Sequence, residues 1–102
     1  MNYQGRPLDA LGDPTRRAIL ARLAAGPLPV GALAAHFPVS RPAISQHLRI
    51  LKEARLVTDT AVGTRRVYAV NLEGLDELRR YFDRFWDTAL ASFKARVERK
   101  KR

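Results

Sequence analysis

Apolar residues recur at three- and four-residue spacing along most of this chain, and only between positions 56 and 70 does the pattern turn to β-branched runs. The sharpest stretch runs from Val39 to Lys52. At 100° per residue Ile44, Leu48 and Leu51 fall on one side of a helix, while Pro42, Ser45, Gln46 and Arg49 fall on the other. Ser40 suits the N-cap, because its hydroxyl can accept a first-turn amide proton, and Pro42 is tolerated where early amides have no helical partner. A helix is therefore predicted to begin near Arg41, with an outer face that is short, polar or basic.

Upstream, Pro29 to Phe37 reads as a short helix in which Leu33 and Phe37 stand four apart and small Ala34 permits close approach by a second helix. Pro38 and Val39 make the turn. Arg6 to Gly12 reads as a first helix. Asp13-Pro14 opens a second, with Asp13 as N-cap and proline in the first turn; it carries Ile19, Leu20 and Leu23 and is predicted to close at Gly26 in a left-handed conformation, followed by Pro27. Leu56 to Val62 and Arg65 to Val70 flank Gly63-Thr64, a hairpin signal. Then Leu75, Leu78, Phe82, Phe85, Trp86, Ala89, Phe93 and Val97 recur through one long amphipathic helix spanning about 73–98. With no internal repeat or linker, residues 1–102 read as a single domain.

The predicted class is thus mainly α with a small β-hairpin: four helices, the hairpin and a long fifth helix. A tight helical pair whose second member carries a basic face is the helix-turn-helix arrangement, in which that second helix enters a DNA major groove. Arginine there can pair with guanine, glutamine with adenine, and serine with a base or phosphate. Arg41, Ser45, Gln46 and Arg49 are the candidate base readers, with Ser40 and Pro42 at the same helix end. His47 lies on the flank and is assigned to packing or phosphate. Lys52 is assigned to phosphate. The basic hairpin makes a wing, with Thr64, Arg65 and Arg66 along the DNA backbone or in the minor groove. An ordinary solvated helix face and a charged strand end are the plainer readings of the same residues.

Composition moves the balance toward nucleic acid. The 102 residues hold 19 Lys and Arg against 10 Asp and Glu, a formal net charge of +9, which favours polyanionic partners. No apolar run approaches the roughly 20 residues of a membrane span and the first residues lack a signal-peptide core, so a cytoplasmic protein without membrane contact is expected. Without cysteine the chain has no disulfide, thiol chemistry or thiolate metal site. It also has no phosphate-binding glycine loop and no spacing that supports a Ser-His-acid or His-carboxylate set, so neither an enzyme nor a cofactor is expected.

The fifth helix carries a wide aromatic stripe that a domain this small has little core to cover. A second copy of the chain is the predicted cover, with Tyr3, Leu8 and Leu11 joining Leu75, Leu78, Phe82, Phe85, Trp86, Ala89 and Phe93 in a two-fold interface. Packing of the helix onto its own domain is one alternative. A ligand pocket lined by Tyr81 and Trp86 is another.

Three segments carry a resemblance: Ala10-Leu11-Gly12-Asp13-Pro14-Thr15-Arg16-Arg17-Ala18-Ile19-Leu20; Ser40 through Leu51 with its Ser45-Gln46-His47-Leu48 step; and Leu56-Val57 with Gly63-Thr64-Arg65-Arg66-Val67-Tyr68. In these, from about Leu8 to Phe93, the chain resembles the ArsR-type winged-helix transcriptional regulators. The resemblance implies a dimeric repressor that binds an inverted-repeat operator in double-stranded DNA and releases it on a signal. Many members sense metals, but Pro29 and Gly31 stand where one such site has cysteines. The C-terminal helix offers Asp83 and Asp87 without histidine, and His36 and His47 lie on different helices. Since transition metals want imidazole or thiolate donors, no metal sensing is expected at either site. A small molecule, a protein effector or plain autorepression then remain as the signal. Two departures from the family pattern concern local geometry: Pro38 occupies a turn position often held by glycine, and Arg55 stands where a glycine usually ends the recognition helix. The basic run Lys94, Arg96, Arg99, Lys100, Lys101 and Arg102 could extend a DNA footprint or simply be solvated. A sequence-independent nucleic-acid coat and a winged-helix protein-docking module are the alternatives to a specific regulator.

Overall fold

The computed structural model describes residues 5–101. Its elements run α1 (Gly5–Ala10), α2 (Pro14–Ala24), β1 (Leu28–Pro29), α3 (Val30–Ala34), α4 (Arg41–Glu53), β2 (Val57–Val62), β3 (Arg65–Val70) and α5 (Leu72–Lys100). Both predicted N-caps form. Asp13 accepts from the amides of Thr15 and Arg16 at 2.8 and 3.1 Å, and Ser40 Oγ accepts from the amide of Ala43 at 3.2 Å.

Three local expectations are corrected. Helix α2 ends on Ala25 in ordinary right-handed geometry, and Gly26 follows it with a positive φ of 156°, a glycine conformation but not the left-handed helical one expected. Helix α3 starts at Val30, because Pro29 is drawn into a strand: Leu28 and Pro29 pair with Tyr68 and Val67 in a three-stranded antiparallel sheet of order β1-β3-β2. Proline is tolerated there because β1 is an edge. The C-terminal end of α3 tightens into three-residue hydrogen bonds, from His36 N to Leu33 O and from Phe37 N to Ala34 O, so the helix stops at Ala34 instead of reaching Phe37. The chain then turns through residues 35–39 without any residue of positive φ, which is how Pro38 is accommodated.

The far end of α4 shows how a non-glycine closes a helix. Arg55 takes φ 63°, the amide of Leu56 donates to Leu51 O at 2.9 Å, and that of Arg55 donates to Lys52 O at 3.0 Å. This is the Schellman pattern, adopted by arginine against a left-handed penalty of about 1–2 kcal/mol. What holds it is α5. Asn71 Nδ2 donates to Arg55 O at 3.0 Å, and Gly74 lies so close that a Cβ there would fall 1.7 Å from the same oxygen. A hairpin turn led by Gly63 at φ 62° joins β2 to β3, with Val62 opposite Arg65, as a two-residue turn with glycine first requires.

The core sits between the helical pair and the sheet. Ile44, Leu48 and Leu51 of α4 are fully buried against Ile19 of α2, Leu33 of α3 and Leu56 before β2. Burying each such side chain contributes about 1.5–3 kcal/mol. The first two turns of α5 close this core through Leu78, 7% exposed, with Leu75 packed beside it. Beyond Tyr81 the helix leaves the body. Its 29 residues span about 43 Å at 1.5 Å each, which accounts for overall extents of 67 × 27 × 25 Å and a radius of gyration of 18.1 Å, against about 13 Å for a compact chain of this length.

Candidate nucleic-acid interface

The outer face of α4 is open to solvent. Ser40, Arg41, Pro42, Ser45, Gln46, Arg49 and Lys52 are all exposed, as are Thr64, Arg65 and Arg66 on the hairpin. The elements bring part of this set together: Arg41, Ser45, Thr64, Arg65 and Arg66 line one cleft of about 480 Å³ with Tyr68 and the start of α3. Its position follows from the sequence. The Ser40 cap fixes where α4 begins, the buried Ile44–Leu48–Leu51 stripe fixes which side of it faces out, and the Gly63 turn sets the hairpin tip beside that side.

Other predicted contacts lie elsewhere on the surface. Gln46 and Arg49 are exposed on α4 but do not line the cleft, and Arg49 leans toward Glu53 at 4.0 Å, an exposed pair of little energetic weight. His47 is half-buried, with Nδ1 3.4 Å from Arg16 Nη1. Arg16 itself donates from Nε to Ala10 O at 2.6 Å, so it ties the end of α1 to α2. The nearby Asp13 carboxyl is held below its ordinary range, first by the hydrogen bond from the Arg16 amide and then by that from Thr15 and the positive charge of Arg16.

Lys52 is already engaged. Its Nζ lies 2.8 Å from Oδ1 of Asp59, whose other oxygen accepts from Arg66 Nη1 at 2.9 Å. The Asp59 side chain is 8% exposed, and its carboxyl is held below the ordinary range, first by the hydrogen bond from Lys52 and then by that from Arg66. Sequence reasoning passed over this residue. The signal was present, because a two-residue turn at 63–64 puts Arg66 opposite Ala61 and therefore diagonal to Asp59 on the same sheet face.

The predicted dimer residues divide. Phe82, Phe85, Trp86, Ala89 and Phe93 are exposed, the four large ones at 51–65%, and Leu90 and Val97 continue the stripe. Leu78 is corrected to a core residue, and Leu8, Leu11 and Leu75 also pack against the core of their own chain, because helix spacing alone does not say which partner covers a stripe. Tyr3 lies outside the described residues, as does Arg102. Tyr81 and Trp86 do not share a pocket: each borders an open groove made of α5 residues alone, and the Tyr81 ring meets Phe82 and Phe85 edge-on at 5.7 and 6.0 Å. Among the described residues no group of three or more His, Asp or Glu is placed to hold a metal, and no helix is long and apolar enough to cross a membrane.

Known proteins share this architecture. A family model described as a helix-turn-helix domain matches residues 11–60. The chain is 59% identical over 88 residues to the HTH-type transcriptional regulator Rv2034 of Mycobacterium tuberculosis, covering 86% of this chain and 82% of that one. It is 43% identical over 68 residues to the transcriptional repressor SdpR of Bacillus subtilis, covering 67% and 76%. Among solved structures, an ArsR-like transcriptional regulator from Rhodococcus superposes with a TM-score of 0.78 at 34% identity over 90% of both chains. The homodimeric winged helix-turn-helix DNA-binding domain of Mb0332 from Mycobacterium bovis does so with 0.67 at 29% identity, over 85% of this chain and 78% of that one. With the tight α3–α4 pair, the basic hairpin beside it and this degree of identity, the chain belongs to the ArsR-type family of winged helix-turn-helix, DNA-binding transcriptional regulators.

Proposed function

We propose that the protein is a cytoplasmic, homodimeric repressor that binds an inverted-repeat operator, with residues 1–102 acting as one DNA-binding domain. The observation that carries this is the convergence of Arg41, Ser45, Thr64, Arg65 and Arg66 on one open cleft between α4 and the hairpin. The N-terminal half of α4 enters the major groove. Gln46 and Arg49 read bases farther along the helix, and Arg65 and Arg66 follow the backbone or minor groove. Phosphate contacts set affinity and register, and base contacts set sequence choice. Likeness to SdpR, a repressor, and to the homodimeric Mb0332 domain supports the direction of regulation and the two-fold assembly. The exposed aromatic stripe of α5 supports the second as well. Metal sensing at the two usual family positions is not part of the proposal, since Pro29 and Gly31 offer no donor side chains and Asp83 and Asp87 have no histidine beside them. Nor is catalysis.

The test is a gel shift and footprint on DNA from upstream of the protein's own gene, with scrambled competitor. A protected imperfect palindrome with half-site centres roughly 34–36 Å apart is expected. Replacing Gln46 or Arg49 by alanine should cost about 1–3 kcal/mol on that site and relax its specificity, whereas Arg66→Ala should weaken every sequence alike and reduce the salt dependence. Equal loss on operator and scrambled DNA for all three would count against the assignment, as would stoichiometric zinc binding that releases DNA.

A further inference from the structure

Asp59 is the one acidic residue on the hairpin, and its position is specific. It lies on β2 opposite Tyr68, beneath two cations from different elements: Lys52 in the last turn of α4 and Arg66 near the start of β3. The carboxylate is nearly closed off, at 8% exposure, while the two cations stay about half exposed, at 53% and 54%. An ammonium has three donors and a guanidinium five. Each spends one on Asp59 in this geometry, so the rest stay available toward solvent, and Arg66 also lines the cleft between α4 and the hairpin.

Two consequences follow. A nearly buried carboxylate with charge-assisted bonds to both partners fixes how the end of the recognition helix stands relative to the wing. It also leaves this edge with one net positive charge where the two cations alone would give two. We propose that Asp59 is a positioning residue of the DNA-binding surface, clasping α4 to the wing and withholding one cationic charge from the phosphates, so that sequence-independent affinity is lowered while helix and wing are held in register for a specific site. This rests on the reading of the α4–wing surface as the DNA contact.

The test measures affinity by fluorescence anisotropy on two probes, a random-sequence duplex and a duplex enriched on the wild-type protein from a random pool, across salt. One extra phosphate equivalent changes the slope of log affinity against log salt by about 0.9, so between 50 and 200 mM salt Asp59→Asn should lose about three- to fourfold more affinity for random duplex than wild type does. Its preference for the enriched duplex should fall, with random duplex bound more tightly at low salt. A purely structural role would lower stability and weaken both probes without steepening the slope. Asp59→Glu keeps the charge but moves the carboxylate by one methylene; it should keep the wild-type slope and lose preference, and it carries the test if the asparagine variant does not fold. A folded Asp59→Asn with unchanged slope and preference overturns the proposal, as does an Asp59→Glu slope as steep as that expected of asparagine. Lys52→Met and Arg66→Met separate the two readings. Both should flatten the slope; if neither does, DNA does not lie on this surface and the functional reading falls. If both do while Asp59→Asn changes nothing, the clasp alone is wrong.

Discussion

Leu48 in α4 and Trp86 in α5 occupy equivalent places in their own helices, each on an apolar stripe spaced at three and four residues, yet Leu48 is fully buried and Trp86 is 65% exposed. The first stripe is met by α2, α3 and the sheet. The second runs past the end of the body with none of the described residues outside α5 to face it. Four aromatic side chains that would each bury about 150–250 Å² therefore stand in water. Amphipathic spacing thus states that a face must be covered, and where the rest of the fold lies decides whether the cover is intramolecular. In this molecule the two cases meet within one helix: Leu78 closes the core, and Phe82, one turn later, is half exposed.

The contrast can be broken by truncating both stripes. Leu48→Ala should cost about 2–5 kcal/mol in urea unfolding at every protein concentration, because the site is closed on all sides by its own chain. The double change Phe85→Ala with Trp86→Ala should leave the folded body intact but weaken self-association in sedimentation. The unfolding midpoint of the variant should lose the concentration dependence expected of a dimer. If that variant still sediments as wild type, a copy of the chain does not cover the stripe, and the difference between the two helices has another cause.

Gly74 tests the boundary between the two regions. It stands in the first turn of α5, where the helix is anchored to the body, with Arg55 O at 1.7 Å from where a Cβ would be, and backbone cannot yield as a side chain end can. Gly74→Ala should therefore destabilise by about 1–3 kcal/mol despite alanine's better helix propensity, read as a lower urea midpoint. A neutral or stabilising result would mean that α5 can slide on the Arg55 cap and that the junction is loose.

Much of this was legible in the sequence, and the parts that were not share a cause. The Ser40 cap, the α4 stripe and the Gly63 turn are local patterns, and each formed as its residues predict. The left-handed arginine at position 55 was also legible, as a departure from a family glycine. Strand β1 was not: two residues carry no period, one is proline, and what makes them a strand is pairing with Val67 and Tyr68 far along the chain. Nothing local in the sequence singles out Gly74, because the oxygen it must avoid belongs to another element. Asp59 was passed over: its diagonal place to Arg66 follows from the turn, but the Lys52 half of the contact comes from α4 and has no local signal. On the candidate site, the exposed readers were legible as one helix face, whereas which of them share a cleft depended on where the hairpin tip lands.

Acid sharpens the comparison further, with the smallest expected effect. Asp59 on the hairpin and Asp76 on α5 are each bound by two basic side chains, and each is held below the ordinary carboxylate value of 3.8. For Asp59 the Lys52 hydrogen bond is the first cause, and for Asp76 that of Arg80. A lowered folded-state pKa means that the ionised form favours the fold. The contribution is complete above the unfolded value and is lost as pH falls through the lowered one, below about pH 4. The two sites differ in exposure, 8% for the Asp59 side chain against 33% for Asp76, and Asp76 spans only a single helix where Asp59 joins two elements. Solvent screening discounts the more exposed pair. Thermal midpoints followed downward from neutral pH should therefore fall less steeply in Asp59→Asn than in wild type across that acid window, with Asp76→Asn nearly parallel to wild type. Parallel curves for both variants would mean that the clasp between α4 and the wing adds no more to stability than an exposed pair on one helix. A flatter curve for Asp76→Asn alone would put the acid-sensitive contact on α5.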